Sequence, residues 1–153
     1  MSPPLSDKDV WLALADRHLG MALTLGTAGF HDGGFFHAYH AFECFISAGI
    51  CARGLNPASV PGAKGKGISP HVAVLNCFAT QYKGLPVGNE ANTLRVHLLS
   101  LIGGSALGVN KVRNRCLYHE SGCQPPWHQF SEGMFSMTHE KVRQFVDDYK
   151  GSL

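Results

Sequence analysis

Charged residues are scarce in this chain of 153 residues, at 16%, while hydrophobic residues reach 44%. That balance excludes a disordered polyelectrolyte and favours one globular domain over 1–153, long enough to enclose a core. Long apolar runs are missing as well. The longest, Leu98 to Val109, is broken by Gly103, Gly104 and Gly108, and it falls short of the roughly 18 residues that mark a membrane helix. The N-terminal MSPPLSDKDV has no basic leader followed by an apolar stretch, so the expected location is cytoplasmic, with no membrane partner. Paired cysteines are absent too. Cys44, Cys51, Cys77, Cys116 and Cys123 are odd in number and include no CxxC, which fits reduced thiols rather than a disulfide scaffold. A nucleotide-binding P-loop is also excluded. The stretch Gly62-Ala63-Lys64-Gly65-Lys66-Gly67 lacks the required spacing and has no strand before it, so it reads as a surface loop.

The charge that is present is unevenly placed. Residues 1–43 carry Asp7, Asp9, Asp16, Asp32 and Glu43 against Lys8 and Arg17, a net −3. Residues 44–119 carry eight bases against Glu90 alone, a net +7, and residues 120–153 return to −2. A basic middle flanked by acidic ends is the electrostatic footprint expected for a phosphate-bearing partner.

The periodicity predicts helices throughout and no strand. Ser6 caps a first helix, whose Trp11, Leu14, Ala15, His18, Leu19 and Ala22 share one face and which stops near Gly26–Gly29. A second begins after Asp32-Gly33-Gly34, with Phe35, Tyr39, Phe42, Ile46 and Ile50 inward, and ends near Arg53-Gly54. Ser69-Pro70 opens a third, closed by Gly84 and Pro86. Asn89-Glu90 starts a long fourth that runs to Cys116, and Thr138 caps a last one. Between them, Trp127 and Phe130 are expected to pin a long loop over 120–137. The fold class is therefore all-α, an up-and-down bundle of about five helices.

The chemistry concentrates at Arg113-Asn114-Arg115-Cys116-Leu117-Tyr118-His119. Arginine forks onto phosphate oxygens and stays charged, while histidine moves protons near neutral pH. At ~100° per residue His119 shares a face with Arg115, whereas Arg113 lies roughly 240° away. Arg113 and His119 can therefore converge only if the helix ends just before His119 or a second subunit completes the site. They are the expected catalytic pair. Asn114 would orient the phosphate or the imidazole, and Arg115 is a secondary phosphate contact.

This Arg-polar-x4-His spacing at the end of a late helix resembles the signature of the HEPN family (higher eukaryotes and prokaryotes nucleotide-binding). The resemblance extends to the helix order and to the aromatic, alanine-rich stretch Ala38-Tyr39-His40-Ala41-Phe42-Glu43-Cys44. It implies a HEPN-like bundle, a homodimer with two motif copies at a cleft, and toxin-like, metal-independent cleavage of RNA by attack of the 2′-OH. It also implies partners such as an antitoxin or a regulatory protein. The alternative within the family is a non-catalytic module that binds a nucleotide or a protein. Toxin members often follow the histidine with x-Tyr, whereas here Glu120 and Ser121 follow it and Tyr118 precedes it.

His40 and Glu43 are candidate substrate contacts lining the same cleft. Glu43, the lone acid in the apolar part of its helix, needs a partner, and a motif arginine is the expected one; a structural pair is the alternative. His37, His40 and Cys44 share a helix face, with His31 or Asp32 nearby, but they complete no familiar four-ligand pattern. No metal and no cofactor is therefore assigned. His18, His71, His97, His128 and His139 show no spacing that argues chemistry, and Cys116 reads as core.

Overall fold

The computed structural model describes residues 4–60, 70–102, 115–117 and 124–153. They form helices α1 (Asp7–Thr27), α2 (His31–Ala52), α3 (Pro70–Gln81), α4 (Pro86–Leu101), α5 (Pro126–Gln129) and α6 (Glu132–Tyr149). Short 3-10 turns sit at Pro57–Ser59 and Lys150–Ser152. No strand occurs among the described residues, and no described helix is long and apolar enough to cross a membrane.

Local chemistry sets the boundaries. The Ser6 side chain accepts from the Asp9 amide, as its position predicts, and Asp7 and Asp9 favour the positive end of the α1 dipole. Gly29, at φ +93°, turns the chain directly back into α2, so α1 and α2 pack as an antiparallel hairpin. Three expected boundaries move. α2 begins at His31, so Gly33 and Gly34 lie inside the helix. α4 begins at Pro86, where the missing N–H costs nothing, and it closes at Leu101 with Ile102 as C-cap. Two glycines follow at once, each costing about 1 kcal/mol in a helix interior, and Val109 and Val112 lie outside the described residues. α6 starts at Glu132, capped by Ser131 accepting from the Met134 amide, so Thr138 is a fully buried mid-helix residue rather than a cap.

α2 is the central element. From Cys44 to Ile50 every residue is buried, and α1, α3, α5 and α6 all touch it. Phe42 and Phe45 meet Phe145 of α6 with ring centroids 5.8 and 4.7 Å apart. The Tyr82 hydroxyl donates to the Gly49 carbonyl at 2.9 Å, and its ring stacks on Phe78. Phe130 is buried against Phe35, at 4.9 Å between centroids, and pins its segment as expected; Trp127 does not, being 66% exposed. Its flanking Pro126 takes the inward position instead.

Small residues set how closely the hairpin packs. Ala22 and Gly26 of α1 face Gly34 and Ala38 of α2, and the Phe135 ring of α6 wedges into the notch between them. A Cβ at Gly34 would lie 2.7 Å from Phe135 Cδ2 and 3.1 Å from the Gly26 Cα. Gly34→Ala is therefore expected to destabilise the protein by about 1–3 kcal/mol through overpacking. Gly20→Ala, on the open side of α1 with nothing within 4 Å, is expected to stabilise it by up to about 1 kcal/mol. Chemical denaturation of the two variants checks the contrast.

Candidate functional site

Arg113, Asn114 and His119 lie outside the described residues. Between them, residues 115–117 are described and are helical. Arg115 donates to the Ile102 carbonyl at 2.7 Å, satisfying a free acceptor at the end of α4. Cys116 is 3% exposed, and burial first, with the nearby Asp32 carboxylate second, pushes its thiol up. It is a core residue, as its neighbours suggest. Tyr39 is buried close enough to Cys116, Glu43 and Arg95 to feel their charges, and burial above all pushes its hydroxyl up. That hydroxyl has no hydrogen-bond partner among the described residues.

A second polar region lies where α2 meets α1 and α3. It gathers His37, His40, Glu43 and Cys44 from α2, His18 from α1 and His71 from α3. Glu43 holds two imidazoles at once: His40 Nδ1 lies 3.1 Å from Oε1 and His71 Nδ1 lies 2.9 Å from Oε2. The expected arginine partner is thus replaced, among the described residues, by two histidines. The reason is geometric. His40 sits one turn back on the same face, and α3 brings His71 across to the other oxygen, while Arg115 is turned to Ile102. Burial acts to raise the Glu43 carboxyl. Hydrogen bonds from His40 and His71, with the attraction those rings exert when protonated, outweigh it and hold the carboxyl below its ordinary value.

Next to this triad, His18 Nδ1 lies 2.9 Å from His37 Nδ1, with the rings stacked at 5.2 Å. One ring must donate and the other accept, so the two cannot both be cations. Burial, then the charges of His40 and His37, push His18 down to about 4. Burial and then His40 lower His37 as well. His18 also meets His40 edge-on at 4.5 Å, and Cys44, pushed up to about 12 by burial and then by Glu43, completes the group. Beside Glu43 and His71 a groove of about 230 Å³ opens, walled by Trp11, Ile46, Val74 and Leu75.

The structure thus joins the expected His40 and Glu43, and it adds His18 and His71, which sequence reasoning left unassigned. A signal existed for His18, which shares the inward face of α1 with Ala15, Leu19 and Ala22. None existed for His71, whose role depends on how α3 returns. A carboxylate between two imidazoles can relay a proton, and the imidazole–thiol group beside it can hold a metal.

No protein-family model, no curated protein and no solved structure matches the chain.

The triad makes a pH-dependent contribution to stability. Because the Glu43 carboxyl is held below 4.5 in the folded protein, its stabilisation is complete above that value. It is lost as pH falls through the lowered folded value. Glu43→Gln is expected to cost about 1–3 kcal/mol at neutral pH. The gap to wild type should close as pH falls below 4.5, the carboxyl's ordinary value. Urea denaturation of both proteins across that range measures it.

Proposed function

We propose that this chain is a HEPN-like endoribonuclease that cuts RNA without a metal, using Arg113 and His119 at a cleft between two copies of the chain. The observation that carries the reading is the Arg113-Asn114-x4-His119 spacing, set around a helical turn that is anchored in an all-helical protein. Cys116 is sunk in the core and Arg115 is tied to the end of α4, so the turn between the two catalytic residues is held from both sides. In this reading Arg115 is an anchor of the motif, and Arg113 is the main phosphate contact. Both Glu43 oxygens are taken by imidazole, so His40 and Glu43 belong to the framework rather than to the phosphate.

The reaction needs no redox partner. The 2′-oxygen bonds to phosphorus, the bond from phosphorus to the 5′-oxygen breaks, and a 2′,3′-cyclic phosphate and a 5′-hydroxyl result. A proton leaves the 2′-OH and another arrives on the 5′-oxygen. His119 serves one of these transfers, while Arg113, with Asn114 beside it, neutralises charge growing on the phosphoryl oxygens.

Purified protein is expected to cut single-stranded RNA in the presence of a chelator and to leave cyclic phosphate ends. His119→Ala should lower the rate by about 10²–10⁴-fold and Arg113→Ala by about 10²–10³-fold, both with unchanged circular dichroism. Wild-type protein that cuts no RNA from mildly acidic to mildly basic pH overturns the nuclease reading and favours a non-catalytic module for a nucleotide or protein partner.

A further inference from the structure

We propose that His18, His40 and Cys44 form a binding site for one transition-metal ion of the zinc class, seated between α1 and α2. The ligand atoms these three residues offer all lie within 4.8 Å of one another. Tetrahedral zinc, with bonds of about 2.0–2.3 Å, sets its ligands roughly 3.3–3.8 Å apart, so side-chain adjustments on the order of 1 Å close the set. His40 and Cys44 are one turn apart on α2 and therefore share a face, while His18 approaches from α1.

The surroundings prepare the imidazoles for this role. His40 has its Nδ1 against the Glu43 carboxylate and His18 has its Nδ1 against His37. With His18 as the donor and His37 as the acceptor of their pair, Nε2 is the nitrogen left on each ring to carry the lone pair a metal requires. A carboxylate behind a ligating histidine fixes the tautomer and strengthens the ligand, and Glu43 is itself held in place by His71. One thiolate with two imidazoles suits a borderline-soft ion such as zinc and disfavours calcium or magnesium, which take oxygen ligands. Cys44 is 1% exposed, and an adjacent cation gives its thiolate a counter-charge in that setting. As the metal binds, the thiol proton passes to solvent. Three protein ligands leave a fourth position for water. The proposal does not depend on RNA cleavage.

The test uses untagged, metal-stripped full-length protein titrated with cobalt(II), with zinc(II) as competitor. One ion per chain should bind, with a cobalt–thiolate charge-transfer band that zinc abolishes. Cys44→Ser should lose that band, and Cys77→Ser should keep it. His18→Gln should weaken binding at least about tenfold, and Glu43→Gln by about 10–100-fold. A wild type without the band, or a Cys44→Ser variant that retains it, overturns the site. If Cys44→Ser fails to fold, His18→Gln decides: unchanged affinity overturns the proposal and weakened affinity upholds it.

Discussion

The interior of this protein is organised by the burial of α2, and that burial dictates where polar groups can go. With α1, α3, α5 and α6 packed on this helix, the Glu43 side chain is left only 18% exposed. An unpaired carboxylate in such a place costs several kcal/mol. Glu43 is tolerated because two imidazole N–H groups meet its two oxygens. The same pressure brings His18 and His37 together and keeps them largely neutral near physiological pH. The polar cluster is thus a consequence of the hydrophobic core around it.

Much of the architecture was legible in the sequence, because it rests on local rules. The Ser6 cap, the reversal at Gly29, the end of α2 before Gly54 and the start of α3 at Pro70 all follow from short-range chemistry. The starts of α4 and α6 were displaced for a comparable reason. Pro86 and Ser131 open these helices ahead of Asn89 and Thr138, but Pro86 reads equally as the stop of the third helix and Ser131 falls within the loop expected over 120–137. Trp127 misled because size alone suggests burial, while its short helix turns Pro126 inward.

The candidate site was legible only in part. His40 and Glu43 stood out because they share a helix face, a relation that spacing reveals. The contacts from His18 and His71 cross from other helices, over 19 and 28 residues of chain, and no pattern within one helix encodes them. The motif around Arg113 and His119 shows the converse. Its spacing is readable in one dimension, and its described turn joins the core through Cys116 and α4 through Arg115. α2 thereby touches both regions. Tyr39 stands near the motif's turn, and one turn on the helix presents Glu43 to the histidines.

The aromatic wedge formed by Phe135 has a bearing on how this sequence can drift. Its ring occupies volume that exists only because positions 26 and 34 lack side chains and positions 22 and 38 carry a single methyl. Those five sites are sterically coupled: a bulkier residue on either helix requires a smaller one at 135. Relatives of this protein should therefore show compensated exchanges there, with the sixth helix tracking the hairpin rather than evolving independently of it.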